Sequence, residues 1–277
     1  MIDAGVLNAL IGARRVDELW AKHVRLMTGY GFDRLIYGFT RFMNGKRLGD
    51  PRDFVLLSNH APAYLRGFID GGLYASAPML LWALENDGAQ SWSLVQEREA
   101  AGRLSAAERQ VLAFNRAMGV VAGYSISFDS MSARTKGVIA LTARAGLDQA
   151  AVDAIWARHG ADILLLNNLM HLRVLTLPHA GPGRRLTERQ IEVLEWIGDG
   201  KTVRDAAQLM GVTAATVDKH LRLARETLGV ATTAQAVLKA AMQNQIFLPD
   251  RLRRPGDNGG DVGGGDVGGG DGGSASP

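Results

Sequence analysis

Apolar side chains recur every three or four positions in three stretches of the first 178 residues. These stretches are residues 6–27, 96–118 and 148–175. That spacing puts the apolar side chains on one face of a helix, so each stretch is predicted to be helical, the first as one helix or two.

Four shorter apolar runs between these stretches favour β-strands. They are Leu35–Phe39, Phe54–Leu57, Gly123–Phe128 and Gly137–Leu141, and turn-forming residues flank them. Short runs of this kind are typical of strands. The order of elements has too few strand-helix-strand repeats for a doubly wound parallel sheet, so an α+β fold is expected here.

The last third of the chain has a purely helical pattern. Four helices are predicted, over about 187–199, 203–210, 213–228 and 233–245. The first and the third begin at a threonine, a residue suited to accepting a hydrogen bond from the free backbone amides of a helix start. This part of the chain is therefore predicted to be an all-α domain of four helices.

Three residues predict how the second and third of these helices cross. Ala207 is small where the helices would meet, Gly211 can adopt the positive φ of a tight turn, and Val217 would face inward to fix the crossing angle. The combination predicts a helix-turn-helix that binds DNA. A helical hairpin used for protein contact is the alternative.

The third helix of this unit would present small and basic groups to DNA. Asp218 is unfavourable beside phosphates unless its carboxylate accepts a hydrogen bond from a cytosine amino group. The residues predicted to contact DNA are Lys201, Thr213, Ala215, Thr216, Asp218, Lys219 and Arg222.

Changes in composition predict the domain boundaries. A Gly-Pro-Gly run interrupts the apolar pattern at residues 179–185, which is expected to be a linker between a domain at 1–178 and a domain at 186–248. Residues 249–277 are mostly glycine and aspartate, too poor in apolar side chains to offset the entropy of ordering. Disorder is expected there, and a calcium-binding glycine-aspartate repeat is the alternative.

Composition narrows the possible chemistry. The chain has no cysteine, which excludes disulfides, cysteine-ligated zinc and thiol nucleophiles, and its six histidines form no pair with metal-ligand spacing. No apolar run reaches the roughly 18 to 20 residues of a membrane span, so the protein is expected to be cytoplasmic, with no membrane partner. No cofactor is expected.

Charge and small residues bear on the oligomeric state. The net charge of the whole chain is only +3, and basic residues outnumber acidic ones only slightly in the last third. So modest an excess favours binding to DNA as a dimer. The small residues Ala236, Val237, Ala240 and Ala241 of the last predicted helix fit either dimerisation or packing in the domain core.

The predicted helix-turn-helix resembles the LuxR-type DNA-binding domain. One departure is Gln190, where that family usually carries a glutamate; the substitution keeps the shape, and the fold is expected to survive it. The residues that carry the resemblance are Leu186–Leu194, Trp196, Gly200–Thr202, Thr216, Val217, His220, Leu228 and Ala234–Val237.

The first 178 residues resemble the autoinducer-binding domain of quorum-sensing LuxR-type regulators. Asn59–Pro62, Tyr64, Phe68, Ala77-Pro78 and Trp92 follow the spacing of a motif in that domain. The resemblance implies an α-β-α sandwich that encloses a lipid-like signal. It nominates as ligand-binding residues His60, Tyr64, Phe68, Ala77, Trp92, Leu141 and Ala143.

The polar positions of this motif differ from the family. The family has a tryptophan that donates to a lactone carbonyl where this chain has Tyr64, and an aspartate that accepts from the amide N–H of the signal where it has Ala77. Phe68 replaces a tyrosine, and Ala143 falls where some relatives place a hydroxyl. We therefore expect a more apolar pocket, for a signal that is not a standard acyl-homoserine lactone.

Three alternatives remain open at this point. The protein could act without a ligand, or it could be an anti-activator that forms a heterodimer with another LuxR-type receptor and blocks it. It could also be a lactone-degrading hydrolase fused to a DNA-binding domain. Ser58 and His60 do not predict a catalytic site. A serine nucleophile and a histidine base need a third partner, and nothing in the sequence supplies one. No enzymatic activity is expected.

Overall fold

A computed structural model describes residues 2–43, 45, 48–130, 132–179 and 184–249. The described residues form two separate hydrophobic cores, one built from residues 10–177 and the other from residues 186–246. Most of the expected linker and all of the expected tail after Pro249 lie outside the described residues. None of the helices in the described ranges has the length and apolar character needed to cross a membrane.

The amino-terminal domain is built on one five-stranded sheet. The strand order is β2-β1-β5-β4-β3, and neighbouring strands are antiparallel. Its helices are α1 (Ala4–Ile11), α2 (Val16–Gly29), α3 (Pro62–Leu65), α4 (Pro78–Glu85), α5 (Ser93–Ala100), α6 (Ala106–Ala117) and α7 (Gln149–Thr176). Its strands are β1 (Phe32–Thr40), β2 (Val55–Ser58), β3 (Gly88–Ser91), β4 (Gly123–Phe128) and β5 (Lys136–Ala143).

The two faces of the sheet meet different layers because side chains alternate along a strand. Leu35, Tyr37 and Ile139 point to one face, where they form a core with side chains of α1, α2 and α7. The other face is covered by α3 to α6 and the turns that join them. The expected α-β-α sandwich is confirmed.

Most of the predicted elements are present, but one predicted helix is two. Residues 96–118 belong to α5 and α6, which are separated at Gly102, where φ is +66°. Ser105 then starts α6 with a capping box to Glu108. The short elements α3, α4 and β3 were not predicted; β3 reads Gly-Ala-Gln-Ser, without apolar alternation.

The carboxy-terminal domain contains four helices in the described residues, as predicted. Gly211 has a φ of +66°, which confirms its place in the turn, and Val217 is fully buried where the helices cross. Thr187 and Gln190 form a reciprocal capping box, so the glutamine preserves the helix start. The helices are α8 (Glu188–Gly198), α9 (Val203–Met210), α10 (Ala214–Leu228) and α11 (Thr233–Met242).

The small residues of α11 take part in the domain core. Ala236 and Ala240 are fully buried against the other helices, and Val237 and Ala241 are partly buried beside them. Core packing therefore explains Ala236 and Ala240. A larger side chain at either position would have no space, which is the usual consequence of close packing.

The two domains are in contact through charged side chains. Asp53, after β1, pairs with Lys239 of α11, with Oδ1 2.7 Å from Nζ, and with Arg184, whose Nε lies 3.7 Å away. Arg41 donates to the carbonyl oxygens of Leu175 and Met242. The segment between β1 and β2 is therefore the main contact surface for the second domain.

Candidate ligand cavity and nucleic-acid interface

A cavity of about 310 Å³ lies between the sheet and the α3 to α6 layer. This is within the size range of small-molecule sites in proteins. Its wall is mostly aliphatic and aromatic, with contributions from β1, β2, β4, β5 and every helix of the covering layer. The site can therefore hold a ligand with a large apolar surface.

Four of the predicted ligand-binding residues line this cavity. They are Tyr64, Phe68, Ala77 and Trp92. The prolines that start α3 and α4 place the first three, because proline at the first helical position fixes the backbone where each helix begins. His60 lies behind the wall, with its ring stacked 4.3 Å from that of Tyr64.

The prediction for β5 requires a correction. Leu141 and Ala143 lie on the opposite face of the sheet, in the core against α7, and the cavity is lined instead by Ala140 and Thr142. The side-chain period of a strand is two, so an error of one residue reverses the face. Thr142 thus supplies a hydroxyl to the cavity wall, which the sequence analysis had not expected.

The polar groups of the wall are largely engaged with one another. The indole Nε1 of Trp92 donates to Oγ of Ser125 at 3.0 Å, so this tryptophan is oriented by the sheet. The hydroxyl of Tyr64 donates to Oδ1 of Asn115 at 3.1 Å. Burial raises the pKa of Tyr64 well above its usual range, which keeps the hydroxyl protonated.

The charged side chains of the wall are paired with other protein groups. Arg116 donates to Oε1 of Glu99 at 3.0 Å. Lys136 pairs with Asp87, with 2.8 Å between Nζ and Oδ1, and also donates to the Asn86 carbonyl oxygen. The groups that the cavity wall offers to a ligand are therefore hydroxyls and amides, not an unpaired charge.

The polar residues Asn115, Ser125, Lys136 and Thr142 of this wall were not predicted from the sequence. A signal for Ser125 was present: β4 alternates serine with Tyr124 and Ile126, so its two faces differ in polarity. Asn115 had no such signal, because it sits on an amphipathic helix that could have turned it to solvent.

The candidate nucleic-acid interface is the start of α10 and its outward face. Most of the residues predicted to contact DNA are exposed, and Thr216 is partly buried. Thr213 caps the helix by accepting from the Thr216 amide at 3.2 Å, and Arg222 pairs with Glu226 at 2.6 Å. The positive end of the helix dipole favours phosphate at this helix start. The exposed residues are Lys201, Thr213, Ala215, Asp218, Lys219 and Arg222.

Comparison with known proteins agrees with the assignment of both domains. Residues 15–174 match the family described as "Autoinducer binding domain", and residues 184–240 match "Bacterial regulatory proteins, luxR family". The chain belongs to the LuxR family. Its autoinducer-binding region and its DNA-binding helix-turn-helix are those of a quorum-sensing transcription regulator, as the sequence predicted.

Individual LuxR-type relatives are distant. The transcriptional activator protein AnoR of Acinetobacter nosocomialis is 23% identical over 241 residues, covering 86% of this chain and 95% of AnoR. The transcriptional activator protein BjaR1 of Bradyrhizobium diazoefficiens is 33% identical over 79 residues, which cover 28% of this chain and only 32% of BjaR1.

Two solved LuxR-type structures are also similar. SdiA of Escherichia coli has a TM-score of 0.47 at 15% identity, covering 87% of this chain and 96% of that one. The N-acylhomoserine lactone dependent factor CepR2 of Burkholderia cenocepacia has a TM-score of 0.46 at 16% identity, covering 61% of this chain and 90% of CepR2.

Proposed function

We propose that this LuxR-type protein binds a palindromic DNA site as a homodimer, under the control of a small molecule that is not a standard acyl-homoserine lactone. The observation that carries the proposal is the cavity wall at Tyr64 and Ala77. Both side chains line the cavity, and a methyl group stands where the family has a carboxylate. Among the described lining residues, the one acidic side chain is Glu99, which is engaged by Arg116.

The missing carboxylate has an energetic consequence for an acyl-homoserine lactone. The amide N–H of that signal would be buried beside Ala77 without the acceptor that the family supplies. An unpaired buried amide costs about 1 to 3 kcal/mol. This corresponds to a loss of roughly five- to a hundredfold in affinity.

Binding as a dimer is supported by the weak charge of the DNA-binding surface. Lys219 and Arg222 are exposed on α10, but Asp218 stands beside them and Glu226 pairs with Arg222. One such surface neutralises few phosphates, so two copies on successive half-sites would provide the affinity.

A heterodimerising anti-activator is the second candidate function, and Asp218 favours it. The carboxylate is exposed on the face of α10 that would enter the major groove. Without a cytosine amino group to accept from, it would repel the DNA backbone. Such a protein would act by pairing with a second LuxR-type receptor and would not bind DNA alone.

Restoring the family anchors should create a response to acyl-homoserine lactones. The wild-type chain should show no stabilisation by nanomolar concentrations of a panel of these lactones. The double variant Tyr64→Trp/Ala77→Asp should be half-saturated by these lactones at a concentration at least tenfold lower than the wild-type chain requires. The reason is that it regains a donor and an acceptor. Shifts of the thermal unfolding midpoint measure both.

The matched control is Tyr64→Trp/Ala77→Leu, which fills the same space without an acceptor. It regains only the donor, so it should lack the part of the gain that comes from the acceptor. A nanomolar response of the wild-type chain to any lactone of the panel would contradict the proposed signal class.

Removal of Lys219 should weaken DNA binding at every sequence to a similar degree. A duplex bound by the wild-type chain would first be selected from a random pool, with two inverted half-sites expected about one helical turn apart. The Lys219→Ala variant should bind it more weakly, with a salt-dependence slope smaller by about 1.

Lys22→Ala makes the same charge change on α2 of the other domain and should bind like the wild type. Failure of the wild-type chain to select any duplex would contradict direct DNA binding and support the anti-activator. An unchanged salt slope in Lys219→Ala would remove Lys219 from the interface.

A further inference from the structure

Tyr64 and Asn115 form a polar pair on the wall of the otherwise apolar cavity. The tyrosine lies on α3, the asparagine on α6, and the hydroxyl oxygen is 3.1 Å from Oδ1 of Asn115. Gly67 allows the two helices to come so close, since a Cβ there would lie 2.5 Å from the ring of Phe114. Both members of the pair line the cavity.

The aromatic rings around Tyr64 fix its position. Its ring stacks with that of His60, with 4.3 Å between the centroids, and with that of Phe68, with 5.1 Å between the centroids. Phe114 packs against it at 5.5 Å. The hydroxyl is therefore held in place before any ligand arrives, and the entropy cost of ordering it on binding is small.

The hydrogen bond between the two side chains leaves the amide NH2 group of Asn115 and the hydroxyl oxygen of Tyr64 available to a ligand. The tyrosine hydroxyl donates its hydrogen to Oδ1 of Asn115, so the hydroxyl oxygen can still accept a hydrogen bond. The Nδ2 group of Asn115 donates to no protein atom in the hydrogen bonds of the described residues. A hydroxyl group placed between the two residues could donate to the tyrosine oxygen and accept from Nδ2 at the same time.

We infer that this pair, and Asn115 in particular, sets the specificity of the cavity, and that the ligand is a neutral lipid with a hydroxyl group. The inference rests on the proposed function and names the ligand class of the same site. Neutrality follows from the wall, because Glu99 and Lys136 are already paired with Arg116 and Asp87. A charged ligand would be buried without a counterion.

Two probes that differ by one hydroxyl test this inference. Methyl 3-hydroxydecanoate and methyl decanoate would be titrated against the full chain, with the shift of the thermal unfolding midpoint as readout. The wild-type chain should be half-saturated by the hydroxy ester at a concentration about tenfold lower, because the ester without the hydroxyl leaves the pair unsatisfied.

Variants of the pair should remove this preference without removing binding. In Asn115→Leu and Tyr64→Phe, the two esters should half-saturate at concentrations within about twofold of each other. The control Asn168→Leu changes an exposed asparagine on α7, away from the cavity, and should keep the tenfold preference. Two variants at the pair guard against loss of folding in either one.

The outcomes separate this inference from the proposed function. Equal binding of the two esters by the wild-type chain, binding of neither, or a preference that survives in Asn115→Leu would each overturn the inference. None of these results restores a lactone response, so the proposed function is judged by the lactone panel alone.

Discussion

Replacement of Asp53 by asparagine should release the carboxy-terminal domain from its contact with the amino-terminal domain. The side chain of Asp53 is 8% exposed, and its carboxylate meets Lys239 at 2.7 Å and Arg184 at 3.7 Å. Asparagine keeps the size but leaves two buried cations without their central anion. Breaking a buried pair by removing one partner costs about 3 to 5 kcal/mol.

The contacts that remain between the described residues of the two domains are mainly hydrogen bonds to backbone carbonyl oxygens, each of which contributes only about 0.5 to 1.5 kcal/mol. Arg41 donates to Met242, and Asn244 donates to Leu177. Asp50 still reaches Arg184 at 3.4 Å. The expected result is an increase in the radius of gyration measured by small-angle X-ray scattering, with unchanged circular dichroism because each domain keeps its own core.

Two further variants serve as controls for this experiment. Asp17→Asn removes an equal charge from an exposed pair with Arg15 and should leave the scattering unchanged. The exchange Asp53→Lys/Lys239→Asp restores opposite charges and should recover part of the compact form. A radius of gyration for Asp53→Asn equal to that of the wild type would show that the ion pairs do not hold the domains together.

This contact is continuous with the ligand cavity. Asp53 precedes Phe54, and Phe54 and Leu48 line the cavity wall. One segment between β1 and β2 thus carries both the wall of the ligand site and the anion that holds the DNA-binding domain. The sequence of this segment indicates neither role, because each role depends on residues that are distant along the chain.

The regular elements were predictable because their signals are local. The apolar period of α7 and the turn at Gly211 depend only on near neighbours, and both were found from the sequence. The capping threonines, such as Thr187, act within one turn of their helices. Such features need no knowledge of the tertiary fold.

The faces and pairings were not predictable in the same way. Leu141 and Thr142 are neighbours, and only the register of β5 with β1 and β4 decides which of them faces the cavity. The Tyr64–Asn115 bond joins residues 51 positions apart, and the Lys239–Asp53 pair joins residues 186 apart. Apolar patterning constrains neither distance.

Acidification should destabilise the folded protein between about pH 6.5 and pH 4. Burial lowers the pKa of His23, His60, His171 and His179 from 6.5 to about 4 in each case. The folded state keeps these rings neutral, while the unfolded state takes up protons as soon as the pH falls below 6.5. The free energy of unfolding is therefore at its full value above pH 6.5, and it decreases progressively as the pH falls toward 4.

Each such histidine lowers the free energy of unfolding by at most about 1.4 kcal/mol per pH unit in this window. The four contributions have the same sign, and a typical domain is stabilised by only roughly 5 to 15 kcal/mol. Urea unfolding followed by circular dichroism at pH 8, 7, 6, 5 and 4.5 should give a constant midpoint from pH 8 to 7 and a steep fall below 6.

The variant His23→Gln isolates one contribution. His23 is fully buried and its Nε2 lies 3.0 Å from Oδ1 of Asn167, a contact that a glutamine amide can replace without titrating. The variant should be less stable at pH 7 but lose less stability between pH 6.5 and 4. Asp50 contributes to stability in a lower pH range. Hydrogen bonds from the Arg52 side chain and backbone amide lower the pKa of Asp50 from 3.8 to about 2, so its contribution is lost only below pH 4. A urea midpoint that stays constant down to pH 4.5 would contradict the lowered pKa values of these four histidines.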